Sequence, residues 1–171
     1  SGSFPPMAQA WKVIAILWLV TLFSQLDRQL PALLVRPLKA EFALSDTQFS
    51  LLQGYAFALF YTLMGLPFGR MVDRTNRRNL ILIGIAIWSS MTVVAGFATS
   101  FTELLVARIG VGIGEAVLAP AAYSIIADYV APQRRGRALG IYYVSLAIGS
   151  GASLLLGGLI LGALPQEGME I

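Results

Sequence analysis

Four ionised side chains stand inside apolar runs long enough to cross a bilayer. Asp27 and Arg28 interrupt the first of these runs, and Arg108 and Glu115 interrupt a later one. A charge at the centre of a membrane helix costs roughly 2.5–3.5 kcal/mol on insertion scales, so four of them are expected to face one another or water rather than lipid. Arg108 and Glu115 are seven residues apart, which places both on one helical face with Gly112 close to the stripe between them. Asp27 and Arg28 are adjacent, about 100° apart around a helix, and can offer opposite charges to the same cavity. The expected constellation is two acids and two guanidinium groups around a shared aqueous pocket. Desolvation favours the neutral acid and a nearby guanidinium favours the carboxylate, so moving an arginine moves a proton. The competing expectation is a structural salt-bridge network that ties the spans together.

The composition narrows the chemistry. The chain has no histidine and no cysteine, which removes the commonest metal ligand, the thiolate sites and every disulfide. Proton chemistry falls to carboxylates, no metal or cofactor is expected, and an enzyme is disfavoured because no histidine, cysteine or metal-ligand cluster is available. Gly110-x-Gly112-x-Gly114 has the spacing of a dinucleotide loop but lies inside an apolar helical run with no strand before it. The net charge of +3 does not point to nucleic acid, because the basic residues sit at the ends of apolar spans.

The elements that must position these groups are membrane helices. Mean hydropathy is +0.74 and only 12% of residues are charged, against about 25% in ordinary soluble domains. The runs lack the alternation a membrane barrel needs. The whole of residues 1–171 reads as one helical bundle with spans at about 11–35, 46–69, 79–98, 103–129 and 137–163. The first run lacks an A-x-A-like cleavage site and is read as a retained span. Ser45 followed by Gln48 predicts a capping box at the second span, and Thr99 to Thr102 a tight turn. Pro31 and Pro120 are expected to bend or break their spans near the buried acids. Gly136, Gly140, Gly149, Gly151, Gly157 and Gly158 predict close helix contact along the fifth span. Tyr123, eight residues after Glu115, is the aromatic candidate for a cavity wall. With a cytoplasmic N-terminus, Lys12, Arg70, Arg74, Arg77, Arg78, Arg134, Arg135 and Arg137 fall inside, and only Arg36 and Lys39 outside. Five spans leave the bundle unpaired, so further spans are expected after the acidic tail that holds Glu167 and Glu170.

The stretch Gly69-Arg70-Met71-Val72-Asp73-Arg74-Thr75-Asn76-Arg77-Arg78 resembles the signature of the major facilitator superfamily between its second and third spans. The resemblance implies an all-α integral membrane fold, with this chain supplying five of twelve helices and the C-terminal half of the transporter absent. It also implies that Gly69 permits close helix approach and that Asp73 meets a helix terminus of the opposite half. Arg74 and Arg77 would then join a charge relay, with Asp128 as a partner. Arg70 and Arg78 can be explained by topology alone. Leu26-Asp27-Arg28, Asp73 to Arg77 and Arg108 to Ala116 together resemble the Spinster-like lipid transporters, in which asparagine tends to replace the signature glycine as Asn76 does here. Asparagine tolerates the left-handed backbone such a turn can need. The organic-anion:cation symporters are similar in the Asp-Arg pair and in Arg…Gly…Glu, but typically keep the glycine.

What this implies is a proton-linked transporter of amphipathic lipids, such as lysophospholipids or sphingoid-like molecules. Its partners would be protons, membrane lipids and a lipid-like or anionic substrate. Asp27 and Glu115 would carry the proton, and Arg28 and Arg108 would tune the acids or hold a head group. The expected setting is a bacterial inner membrane. The rival reading from another class is a non-transporting scaffold or sensor.

Overall fold

The computed structural model describes residues 4–163, and the acidic tail from Pro165 lies outside them. Its elements are helices: α1 (Met7–Leu33), α2 (Val35–Phe42), α3 (Asp46–Ser50), α4 (Ala56–Arg74), α5 (Arg77–Gly96), α6 (Phe101–Glu115), α7 (Leu118–Tyr129) and α8 (Pro132–Ala163). A single π-helical turn, Leu51–Tyr55, joins α3 to α4, and α6 and α7 run on from one another, so five stretches are long and apolar enough to cross a membrane.

Local chemistry sets the boundaries. The Ser45 hydroxyl accepts from the Gln48 amide while the Gln48 side chain accepts from the Ser45 amide, which is the predicted capping box. The Thr99 to Thr102 turn is a helix start: Ser100 caps the Glu103 amide, and the Glu103 carboxylate reaches back to the Thr99 amide at 2.7 Å. Proline cannot donate to the carbonyl four residues back, and Pro31 and Pro120 each lie next to a break, whereas Pro67 lies inside α4 without ending it. α1 ends two residues after Pro31, and Ala116-Val117 interrupts the helix ahead of Pro120 while keeping near-helical dihedrals. The chain past Leu34 resumes as helix, so Arg36, Pro37 and Lys39 lie on α2. α4 likewise runs to Arg74 and α5 starts at Arg77, five residues later and two earlier than hydropathy suggested, because the arginines extend the helices into the interface.

The fourth span, α6 with α7, is the centre of the bundle. Buried residues make up 61% of its most apolar window, against 11–28% in the other four. α1 packs on α8, while α4 and α5 pack on α6. Two seams bring backbones together. A Cβ added to Gly114 would stand 2.7 Å from the Trp88 nitrogen and 2.8 Å from the Gly84 carbonyl oxygen, and one added to Gly149 would stand 2.7 Å from the Gln25 Cβ. Of the glycines expected to make close contacts on the fifth span, Gly149 and Gly157 meet α1, whereas Gly136, Gly140, Gly151 and Gly158 face open space among the described residues. Polar side chains stitch the α1–α8 seam: Thr21 donates to the Tyr142 hydroxyl at 3.1 Å, and Ser153 to the Leu26 carbonyl at 3.2 Å.

Candidate functional site

The intramembrane charges sort into two groups because consecutive residues on α1 diverge. Arg28 turns toward α4 and α6. Its Nε donates to Glu115 Oε2 at 2.6 Å, and its guanidinium lies 4.7 Å from the Phe57 ring centroid and 4.5 Å from that of Tyr61. Cation–π attraction adds to the ion pair there, and the planar, weakly hydrated guanidinium suits such a position. Glu115 is fully buried at the last residue of α6, beside the break that precedes Pro120. Its second oxygen, Oε1, has no hydrogen-bond partner among the described residues. A buried carboxylate held by one arginine on one oxygen is a costly group whose charge depends on that arginine staying in place.

Asp27 turns the other way. Its Oδ2 accepts from the Thr92 hydroxyl on α5 at 3.1 Å, and it lines a cavity of about 300 Å³ together with Arg108 and Glu41. Arg108 is buried and makes no ion pair among the described residues, although it and Glu115 share one face of α6. The expectation of one pocket enclosing all four charges therefore needs correction. Asp27 and Arg108 share a cavity, while Glu115 and the partly exposed Arg28 form a separate pair that does not line it. The cause is the 100° step from Asp27 to Arg28, which aims the two side chains at different neighbours.

Tyr123 belongs to a group of tyrosines. It lines neither cavity that contains Asp27, and is more than a third exposed within a tyrosine cluster. Its hydroxyl is 2.8 Å from that of Tyr143, and the rings of Tyr123, Tyr142 and Tyr143 stand 5.9–6.1 Å apart.

At the end of the bundle that gathers α4, α5, α7 and α8, Arg77 pairs with Asp128 across α5 and α7, and its Nε donates to the Val72 carbonyl at 3.3 Å. Arg77 thus also closes the C-terminus of α4. Asp73 and Arg74 are exposed on the last turn of α4. A Cβ at Gly69 would meet nothing within 4 Å, so the close approach implied for it has no partner within this bundle. Asn76 is not left-handed. With φ −70° and ψ 108° it caps α5, its side-chain oxygen accepting from Arg78 and Asn79, because an extended N-cap satisfies free amides that a left-handed turn would leave open.

Phe57 and Tyr61, one helical turn apart on α4, flank Arg28. Thr92 and the buried Ser24 escaped the sequence reading, because a hydroxyl in an apolar run carries no signal of its own. Arg135, read as a topology residue, donates to the Ala127 carbonyl at 2.7 Å and the Val130 carbonyl at 3.0 Å, closing α7.

Comparison with known proteins places this geometry. The profile of the Major Facilitator Superfamily matches residues 17–167. An MFS-type efflux pump of Mycolicibacterium smegmatis is 36% identical over 152 residues, covering 89% of this chain and 35% of the pump. Human protein spinster homolog 1 is 33% identical, with 85% of this chain and 28% of that protein covered. A probable L-galactonate transporter of Escherichia coli is 30% identical, with 81% and 30% covered. The crystal structure of a bacterial homolog of the human lysosomal transporter Spinster, inward-facing and unoccupied, superposes with a TM-score of 0.85 at 42% identity. That match covers 92% of this chain and 32% of the solved one. The chain thus spans about a third of the length of the relatives it matches.

Proposed function

The chain belongs to the major facilitator superfamily and is related to its Spinster-type members, and on that premise we propose that the full protein is a proton-coupled transporter moving amphipathic lipids by alternating access. Asp27 and Glu115 carry the coupling protons. Arg28 and Arg108 tune those acids, and Arg28 receives an anionic head group through its forked donors. The carrying observation is Glu115: a fully buried carboxylate whose one hydrogen-bonded oxygen rests on the partly exposed Arg28. An anionic substrate that draws Arg28 away leaves Glu115 to take a proton, since an unpaired carboxylate cannot stay charged there. Substrate binding and proton binding are linked by that exchange. The aromatic faces of Phe57 and Tyr61 beside the guanidinium supply apolar surface next to a charge, as an amphipathic molecule requires.

The arginine-rich end is the gate. Gly69, Asp73 and Arg74 meet the opposite half, and the Arg77–Asp128 pair ties α5 to α7 on this side. The excess of Lys and Arg at that end supports a cytoplasmic setting for it and for the N-terminus. The test is uptake into proteoliposomes by the full-length protein under an imposed pH gradient. Lysophospholipid uptake should lose its pH dependence in Glu115→Gln and Asp27→Asn, and unchanged pH-driven uptake in both variants would end the coupling proposal.

A second reading, an organic-anion:cation symporter, draws on the galactonate-transporter relative and on the same arginines. Thermal stabilisation by sugar acids but not by lysolipids would favour it. A scaffold or sensor would show no flux in either assay.

A further inference from the structure

Thr92 has a place in this network that neither its sequence context nor the proposed roles assign. Its Oγ1 lies 3.1 Å from Asp27 Oδ2 and 3.0 Å from the carbonyl oxygen of Trp88, one helical turn back on its own helix. A hydroxyl has one proton to donate and lone pairs to accept with, so Thr92 can donate to only one of the two at a time and can accept from Asp27 only when that acid carries a proton. Asp27 and Thr92 are also the two residues common to a pair of cavities, one of about 300 Å³ toward Arg108 and Glu41, the other of about 490 Å³ between α1 and α5.

We infer that Thr92 is a positioning residue that switches the direction of its hydrogen bond when Asp27 gains or loses a proton. With Asp27 ionised, the threonine hydroxyl donates to the carboxylate and the Trp88 carbonyl keeps only its intrahelical partner. When Asp27 takes a proton from solvent, its new O–H donates to Thr92 Oγ1 and the threonine proton turns to the Trp88 carbonyl. Neither state leaves an unpaired hydroxyl, and no heavy atom has to move. The groups facing Asp27 are Arg28 beside it on α1, Arg108 and Glu115 on α6, Glu41 on α2 across the cavity, and Thr92 on α5. Of these, only the arginines lose attraction when Asp27 is neutralised. Protonation therefore loosens Arg108 on α6 while Thr92 keeps α1 tethered to α5, which selects the helix free to move.

This inference rests on the proposal that Asp27 carries a coupling proton. Its test needs no substrate: infrared titration of the full-length transporter in lipid vesicles, following the carboxylic C=O band that disappears in Asp27→Asn. Thr92→Val is expected to shift that band to higher frequency, because the acid has lost its acceptor. It should also move the titration midpoint toward alkaline by up to about one pH unit, because the charge-assisted bond lost by the carboxylate is stronger than the neutral bond lost by the acid. Thr92→Ser should restore both. The inference is overturned if Thr92→Val leaves band and midpoint as in the parent, or if no Asp27 band appears across the accessible pH range. Lysophospholipid uptake by Asp27→Asn separates the two ideas. Intact pH-driven uptake alongside a Thr92-sensitive band sinks the coupling role of Asp27 and spares the switch, whereas lost coupling with a Thr92-insensitive band does the reverse.

Discussion

At the residue scale, the strongest determinant is the Arg28–Glu115 pair. Removing one partner of a buried ion pair leaves the other charge uncompensated, which costs more than removing both. Arg28→Ala should lower the stability of the bundle by about 3 kcal/mol, and Arg28→Ala with Glu115→Ala should recover much of that loss. Thermal unfolding in detergent of the parent, the two single variants and the double variant gives the coupling energy. Additive losses would show that the 2.6 Å contact contributes nothing to stability. The identities of these charged residues were legible in the sequence, because charge at bilayer depth is costly enough to need a reason. Their pairing was not, since Asp27 and Arg28 could each have met either partner on α6.

At the element scale, the seams and caps govern. Gly114→Ala puts a methyl group against the backbone of Trp88 and Gly84, and neither backbone can yield without separating α5 from α6. A loss of about 2 kcal/mol is expected. Gly136→Ala, in open space on α8, should be neutral or stabilising by up to about 1 kcal/mol. Melting temperatures of the two variants should move in opposite directions or differ clearly in size. Ser45→Ala removes half of a reciprocal cap and should cost about 1 kcal/mol. Faster amide exchange at Gln48 would report it locally. The capping box was readable because it depends on residues three apart, whereas the helical course of α2 and the length of α4 were not. Charged residues end a hydropathy run without ending a helix.

At the scale of the whole molecule, Arg77 and Asp128 tie two spans at one end of the bundle. Both side chains are partly exposed, so the pair should contribute less than about 1 kcal/mol to stability and weaken with salt. Asp128→Asn is therefore expected to leave the melting temperature nearly unchanged while altering which side of the full transporter is open. Distance measurements between spin labels on the two halves of the full-length protein would register that shift. Unaltered distance distributions would reduce the pair to a helix tie.

The sequence by itself determined what can be read one helix at a time: five apolar spans, an all-α membrane architecture, the Ser45–Gln48 capping box, the end richest in arginine, and which ionisable groups lie within the apolar spans. Those properties follow from hydropathy, from helical periodicity and from hydrogen bonds between near neighbours. Only the tertiary structure decided that the four charges divide into the Arg28–Glu115 pair and a cavity-facing set, that Tyr123 meets Tyr142 and Tyr143, and that Thr92 answers Asp27 from another helix. These outcomes depend on the rotation of each helix about its axis. That rotation is set by close backbone contacts such as Gly84 with Gly114 across helices distant in the chain.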